Sequence, residues 1–260
     1  MIMGMSNFLV ITPTFNEIEN IKSFIDKISE LNLDLLIVDD NSPDGTGEFV
    51  NEKMEQYENL YLLSRESKQG LGSAYRMGFD WALDKAYKYV IQMDADFSHR
   101  INDLVKLIEN IDDLDILIGS RYVSGGNTTG WSLRRKLLSS FANKLSRLLI
   151  GGKIKDMTSG FRIYSEKSLN LIPYNNITSD GYSFQIEMTS IFINTNLKSM
   201  EIPITFEERR QGKSKMDFSI ILEAVVLSVL TIMSVTISVK LSSIGISVRD
   251  SSWTLIASIV

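Results

Sequence analysis

Two acidic side chains follow a short apolar segment near the middle of the chain, and their spacing suits a metal ion. Residues 89–93 predict a buried strand, and Asp94 and Asp96 come directly after it. Burying two carboxylates at a strand end is costly unless a cation meets them. Mg²⁺ and Mn²⁺ typically bind one or two protein carboxylates and complete their shells with substrate phosphates. The pattern is consistent with a metal–diphosphate site, although a solvated acidic turn explains this motif alone equally well.

Two other apolar segments also end in polar residues. Residues 35–38 lead into Asp39 and Asp40 and then into turn residues up to Thr46. Residues 8–11 lead into the polar segment 12–17. Ligands of open α/β sheets bind outside the carboxyl ends of the strands. Three such ends can converge on one ligand, which favours the metal site over the solvated turn.

The first 120 residues alternate between predicted strands and helices. The strands fall near residues 8–12, 34–39, 60–64, 88–93 and 114–119. This alternation predicts an α/β fold with a mostly parallel central sheet that is flanked by helices. The glycine-rich segment 70–74 opens a predicted helix over 72–86 and lacks the third glycine of a dinucleotide-binding loop. An ordinary helix start is the favoured interpretation, although its N–H groups could face an anion.

The composition limits the kind of protein and its location. A chain of 260 residues fits one large domain, or a domain with an appendage. Cysteine is absent and there is one histidine, which excludes a disulfide scaffold and any Cys- or His-rich metal site. No signal peptide is visible before the first strand, so the cytoplasmic face of a membrane is the expected location.

The charge is distributed unevenly along the chain. Residues 121–155 contain eight basic side chains and no acidic one, although the whole protein carries −5. The rest therefore holds 19 basic and 32 acidic residues, a balance of −13. A basic segment in an acidic protein predicts an anionic partner. No nucleic-acid-binding module is recognisable, so a lipid phosphate or a membrane surface is expected rather than nucleic acid.

Residues 134–150 predict an amphipathic helix within this basic segment. Its apolar side chains share one arc of the helix and are Leu137, Leu138, Phe141, Leu145, Leu148 and Leu149. One interpretation is a surface helix that packs on the sheet, with a solvated basic face. The other is an interfacial helix on an anionic bilayer. The sequence leaves both open.

Several motifs occur together in a characteristic order. They are residues 12–17 (TPTFNE), 39–46 (DDNSPDGT), 94–99 (DADFSH), 119–121 (GSR), 158–162 (TSGFR), 181–187 (GYSFQIE) and 209–215 (RRQGKSK). Over about residues 7–217 the chain resembles the polyprenyl-phosphate (dolichyl-phosphate) mannosyltransferases, which are inverting family-two glycosyltransferases. The resemblance implies a GT-A fold and transfer of mannose from GDP-mannose to a polyprenyl or dolichyl monophosphate.

The resemblance also implies roles for individual residues. The donor-binding positions fall on Pro13, Phe15, Glu17, Val38, Asp40, Asp94, Ala95 and Asp96, with Arg209 and Lys215 also at the donor end. Mg²⁺ or Mn²⁺ would be held by Asp96, with Asp94 close by and Ser98 at the next ligand position. The acceptor phosphate would meet Arg121, Arg135 and Ser139. The catalytic residues implied are Asp96, Arg121 and Arg135.

The expected chemistry follows from the implied substrates. A lipid monophosphate is already an anionic nucleophile, so it needs positioning and charge neutralisation more than a base. Paired guanidinium hydrogen bonds from Arg121 and Arg135 would hold it. The lone histidine, His99, is then expected to support the metal turn rather than to act as a general base. The loop 207–215 could close over the donor as a lid.

The implied organisation is a catalytic domain over residues 1–217 and an apolar tail over 218–260. Residues 218–239 are long enough to cross about 30 Å of hydrocarbon as a helix, yet residues 234–241 alternate like a strand. Family members differ here, and some use a partner subunit in the membrane. Two alternative functions stay open: glucose transfer from UDP-glucose, and a membrane-bound module that binds sugar nucleotides without catalysis.

Overall fold

The protein is described by a computed structural model over residues 7–177 and 179–208, without the side chain of Leu149. The strands are β1 (Phe8–Thr14), β2 (Asp34–Asp39), β3 (Leu60–Ser64), β4 (Tyr89–Gln92), β5 (Ile116–Ser120), β6 (Asn127–Thr128), β7 (Arg162–Ser165), β8 (Ser199–Pro203) and β9 (Thr205–Phe206). The helices are α1 (Ile18–Glu30), α2 (Thr46–Lys53), α3 (Leu71–Asp84), α4 (Ile101–Glu109), α5 (Leu133–Ile150), α6 (Glu166–Leu171) and α7 (Gly181–Phe192). All five predicted strands and the helices predicted at α3 and α5 are confirmed.

The central sheet is parallel except for one strand. Its order is β3-β2-β1-β4-β7-β5-β8, and β7 runs antiparallel to both of its neighbours. Strands β6 and β9 form a separate parallel pair. The mostly parallel sheet predicted from the alternation is confirmed, and it brings the carboxyl ends of β1, β2 and β4 to one edge.

Side chains of the sheet alternate between two apolar layers. In β1, Leu9 and Ile11 join one cluster with α3 and α7, whereas Phe8 and Val10 join the other with α1 and α4. All four are buried. Burial of such a side chain contributes about 1.5–3 kcal/mol relative to exposure. The sheet is therefore covered on both faces, and its polar strand ends are held on a well-packed base.

The N-terminus of α3 is occupied by a carboxylate from the same chain. The Gly72 N–H donates to Asp180 Oδ1 at 2.5 Å. Gly70 has a φ of 92°, and a Cβ there would collide with the Asp180 carboxylate. The glycines thus permit a close approach of α7 to α3, and the anion that this helix start attracts is Asp180.

The predicted tail and part of the predicted lid lie outside the described residues. Residues 209–260 belong to this part of the chain, so the domain boundary at residue 217 stays a prediction. Within residues 7–177 and 179–208, no helix combines the length and apolar character needed to cross a membrane.

Candidate active site

Three loops at the carboxyl ends of β1, β2 and β4 each contain a residue in the left-handed region. These residues are Asn16, Asn41 and Phe97, with φ of 62°, 55° and 59°. Asparagine tolerates this conformation, but a bulky side chain rarely adopts it. Phe97 therefore marks a strained turn between Asp96 and Ser98, of the kind that is maintained where a site needs it.

The turn after β4 offers oxygen atoms that fit a small divalent cation. Asp96 is buried, and its Oδ1 accepts a hydrogen bond from the Ser98 N–H at 2.9 Å. The Ser98 hydroxyl is buried without a hydrogen-bond partner. Within the described residues there is no group of three or more acidic or histidine side chains around one point. A cation held here would therefore use Asp94, Asp96 and Ser98 and leave positions for phosphate oxygens, as Mg²⁺ commonly does.

His99 supports this turn from beneath. Its Nδ1 accepts a hydrogen bond from the Asp94 N–H at 3.4 Å, and its ring stacks on Phe161 with 4.6 Å between centroids. Burial lowers the pKa of His99 to about 4, so the imidazole is neutral near pH 7. A shielded, neutral ring that accepts a backbone N–H suits a supporting role, which is the interpretation favoured by the sequence.

Sequence reasoning missed three buried polar side chains, which lie on α3, β4 and α7. Burial raises the pKa of Tyr75 well above its ordinary value, and the carboxylates of Asp94 and Asp96 raise it further, so the phenol stays protonated. The amide groups of Gln92 and Gln185 are buried without hydrogen-bond partners. Gln92 could have been noticed as a polar residue in an apolar strand, whereas Tyr75 looks like an ordinary core aromatic.

The two aspartates at the end of β2 make different contacts. Asp39 Oδ1 accepts from Thr14 Oγ1 at 2.7 Å and from Ser42 Oγ at 2.6 Å, so Asp39 ties the first two loops together. Asp40 forms an ion pair with Arg65 and accepts from the Gly70 N–H at 3.3 Å. The predicted donor residue Asp40 thus borders the loop that precedes α3.

The remaining predicted donor residues line the same edge in different ways. Pro13, near the end of β1, is partly exposed, and so are Phe15 and Glu17 in the loop that follows. Lys68 Nζ lies 4.3 Å from the centre of the Phe15 ring. The side chains of Val38 and Ala95 are buried in the core. Arg209 and Lys215 lie outside the described residues.

A concave region lies between the end of β5 and the start of α5. This basic cavity has a volume of about 280 Å³. Its walls include Arg121, Tyr122, Trp131, Lys136, Leu137 and Ser140. Two basic side chains at one cavity, with no carboxylate among its lining residues, suit an anionic group.

Arg121 is held by a buried carboxylate. Asp156 accepts from Arg121 Nε at 2.8 Å and from Nη2 at 2.7 Å, and Thr158 Oγ1 accepts from Nη2 at 2.8 Å. Burial alone would lower the pKa of Arg121, but the charge of Asp156 raises it. Only Nη1 is left for a ligand. The paired guanidinium hydrogen bonds expected at this residue are therefore already used by the protein.

The other two predicted acceptor residues lie beside the cavity and do not line it. The Arg135 guanidinium stacks on Trp131, 4.1 Å from the ring centre, and its Nη1 lies 3.6 Å from Glu208 Oε1. Ser139 is buried, and its hydroxyl accepts from the Tyr122 hydroxyl at 2.7 Å. On α5 it is the neighbouring residues, Lys136 and Ser140, that face the cavity.

An aromatic layer joins the cavity to the turn after β4. The Phe206 ring lies 5.2 Å from His99 and 5.4 Å from Trp131, and the Arg121 guanidinium lies 5.5 Å from Phe206. Glu207, the next residue, donates its N–H to the Ser98 carbonyl at 2.9 Å. The carboxylates and the basic cavity are thus adjacent parts of one site.

The comparisons with known proteins agree with this geometry. Residues 9–172 match the model of the family described as glycosyl transferase family 2. The chain belongs to glycosyl transferase family 2. Polyprenol monophosphomannose synthase of Mycolicibacterium smegmatis is 43% identical over 220 residues, which are 83% of each chain. Undecaprenyl-phosphate mannosyltransferase of Micrococcus luteus is 39% identical over 220 residues, 84% of this chain and 90% of the relative.

Solved structures confirm the fold. Glucosyl-3-phosphoglycerate synthase of Mycobacterium tuberculosis, in complex with phosphoglyceric acid, has a TM-score of 0.62 at 17% identity, covering 86% of this chain and 79% of the synthase. Another structure of that synthase, with Mg²⁺ and UDP, has a TM-score of 0.59. This family-2 glycosyltransferase therefore has the GT-A fold expected from the resemblance.

Proposed function

We propose that this glycosyltransferase moves mannose from GDP-mannose to a polyprenyl monophosphate, with inversion at the sugar carbon. The observation that carries the proposal is the adjacency of two unlike sites, a carboxylate turn that suits a metal-bound diphosphate and a basic cavity that suits a second phosphate. The names of the two family relatives support the mannosyl group and the polyprenyl acceptor.

The donor end is built on the β4 turn. Asp94, Asp96 and Ser98 would hold Mg²⁺ or Mn²⁺, and the bound metal would neutralise charge on the leaving diphosphate. His99 keeps the Asp94 backbone in place and stays neutral. The loops after β1 and β2, which contain Phe15 and Asp40, would meet the nucleoside.

The acceptor end is the basic cavity. A phosphate oxygen attacks the sugar carbon from the face opposite the diphosphate, a new carbon–oxygen bond forms, and GDP leaves with the electron pair of the broken bond. The attacking oxygen is already anionic, so no proton has to be removed. Arg121, fixed by Asp156, contributes positive charge through Nη1 at a set position.

The exposed face of α5 supports membrane attachment. Leu133, Leu137, Phe141 and Leu148 are between 57% and 80% exposed on one side of this helix. Lys144 and Arg147 are exposed on the same surface, and α5 contains no acidic residue. We name these six residues the α5 docking face. Apolar area combined with positive charge suits an anionic leaflet, which would bring a lipid phosphate to the cavity.

The deciding experiment is a transfer assay with a panel of donors. Purified full-length protein, Mg²⁺ and a polyprenyl phosphate are incubated with labelled GDP-mannose, UDP-glucose and related sugar nucleotides. We expect a lipid-linked product from GDP-mannose alone. Product from UDP-glucose alone would replace mannose with glucose, and donor binding without any transfer would favour the non-catalytic module.

A further inference from the structure

The basic cavity contains a lysine to which no role is assigned by the family motifs. We propose that Lys136 is a further binding residue for the acceptor phosphate, opposite Arg121. The proposal rests on the proposed function, because it takes a polyprenyl phosphate as the ligand of the cavity.

The two cationic residues reach the cavity from different elements. Arg121 follows β5 and is fixed by Asp156, whereas Lys136 lies in the first turn of α5 and is exposed. Lys136 forms no ion pair with any carboxylate in residues 7–177 and 179–208. Its ammonium group is therefore available to an anion in a cavity whose other cation has only Nη1 to offer.

The neighbouring residues on α5 make this assignment stronger. The Arg135 guanidinium stacks on Trp131 and approaches Glu208, and the Ser139 hydroxyl is occupied by Tyr122. Neither residue lines the cavity. Lys136 is the basic residue of α5 that lines the cavity.

The wall of the cavity contains a buried donor without a hydrogen-bond partner. Trp131 lines the cavity and is 7% exposed, and its indole Nε1 is buried without a hydrogen-bond partner. A buried donor without a partner is unfavourable, and an acceptor group bound beside Trp131 would relieve this. A phosphate in contact with Lys136 and Arg121 brings such acceptor oxygens to the same cavity.

Lysine also suits the change in charge during the reaction. The acceptor is a phosphate monoester with up to two negative charges, and the product is a diester with one. A mobile ammonium group acts as a point charge. It therefore binds the acceptor more strongly than the product, so Lys136 is expected to assist acceptor binding without slowing product release.

The test compares two basic residues in the same turn of α5. Lys136→Gln removes the charge from the cavity, and Arg134→Gln removes an equally exposed charge that does not line it. Both changes relieve the same unfavourable interaction with the helix dipole, so stability should respond equally. Full-length proteins in detergent are assayed with saturating GDP-mannose and a short-chain polyprenyl phosphate.

We expect Lys136→Gln to raise the KM for the acceptor about tenfold, which is the scale of one charge-assisted hydrogen bond. The KM for GDP-mannose should stay unchanged, Arg134→Gln should behave like the wild type, and Lys136→Arg should recover most of the loss. Calorimetric titration of the acceptor without donor should show the same order of affinities.

Equal acceptor KM values for Lys136→Gln and Arg134→Gln would overturn the assignment. So would a rise in the KM for GDP-mannose in Lys136→Gln with acceptor binding intact. Failure of the proposed function is a separate result, because the wild-type protein would then transfer no mannose to any polyprenyl phosphate.

Discussion

At the scale of single residues, the turn after β4 combines a strained backbone with shielded oxygen ligands. Asp96 bonds the Ser98 N–H, and Phe97 between them has a φ of 59°. Asp96→Asn preserves an acceptor for that N–H but removes the charge that a divalent ion requires. We expect the melting temperature to stay close to that of the wild type and turnover to fall on the order of 100-fold. Near-normal turnover, or full activity in excess EDTA, would contradict the metal site.

The ion pair between Arg121 and Asp156 can be tested through stability. Asp156 is fully buried, and the charge of Arg121 holds its pKa below the ordinary value despite the burial. Asp156→Asn leaves a buried guanidinium without its counter-charge, which costs about 3–5 kcal/mol of unfolding free energy. A suitable control is Lys167→Gln, because the Lys167 side chain that pairs with Asp115 is 63% exposed.

The control should change stability by about 1 kcal/mol or less, as measured by chemical denaturation. Equal losses of unfolding free energy in the two variants would mean that the ion pair of Arg121 with Asp156 stabilises the protein no more than an exposed ion pair does.

The neutral state of His99 predicts how stability depends on pH. Its pKa is lowered from 6.5 to about 4 in the folded protein, because burial opposes the charged form. Between these values the unfolded chain binds a proton that the folded chain does not, so stability falls as the pH drops from 6.5 to 4. The full loss is about 3 kcal/mol. Asp156 adds a further loss of stability below pH 3.8, because its pKa is lowered in the folded protein and the unfolded chain therefore takes up the proton first.

His99→Asn should remove the loss between pH 6.5 and 4 while keeping an acceptor for the Asp94 N–H. Chemical denaturation of the wild type and the variant at several pH values measures this dependence of stability on pH. An unchanged slope in the variant would assign the acid sensitivity to other groups.

The residues that sequence reasoning identified are marked by their local sequence, whereas those that it missed depend on contacts between distant parts of the chain. Asp94 and Asp96 were visible because two charges at the end of an apolar strand need a partner. Asp156 was not, because it lies 35 residues from Arg121 and only the folded chain brings the two together. The paired phosphate contact expected of Arg121 stays a prediction, and in the structure its Nε and Nη2 donate to Asp156.

At the scale of elements, α5 packs one side of its apolar arc on the core and exposes the other, and its contact with a bilayer stays a prediction. Leu138 and Leu145 pack against the core, whereas Leu137 and Phe141 are 63% and 57% exposed. The double variant Leu137→Ser/Phe141→Ser should bind anionic vesicles more weakly than the wild type does. Its unfolding free energy should change by about 0.5 kcal/mol or less per site. Leu171 on α6 is also 57% exposed, so Leu171→Ser is a matched control.

Co-flotation of the full-length proteins with vesicles at increasing salt measures the difference. Equal vesicle binding by the double variant and by Leu171→Ser would exclude the α5 docking face as a membrane contact.

Sequence patterns predicted the elements of the first half better than those that follow. The strands β1 to β5 are short apolar segments, and periodicity suffices to find them. β7 begins with Arg162, which is fully buried and donates to the carbonyls of Ser159 and Met157. A charged residue at the start of a segment argues against a buried strand. Only the folded chain supplies the two carbonyls that make burial of Arg162 favourable, so the antiparallel strand could not be predicted from the local sequence.

At the scale of the whole molecule, attachment to the membrane has two expected sources. The α5 docking face would act through charge and apolar area, and the predicted tail 218–260 would act as a second anchor. We expect the full chain to resist extraction by salt and carbonate, and a chain ending at Asp217 to be released by salt. Cell fractionation measures this. An intact protein that stays soluble and ignores anionic vesicles would contradict both the location and the lipid acceptor.

The place of β7 in the sheet also sets the order in which a growing chain can assemble. Strands β3, β2, β1 and β4 are neighbours, so this half of the sheet can pair as it leaves the ribosome. β5 has β7 and β8 as its neighbours, and both are synthesised later. Until residue 165 emerges, β4 has an open edge and β5 has no strand to pair with. A nascent chain stalled between residues 120 and 162 would therefore be a preferred client of chaperones that cover bare strand edges.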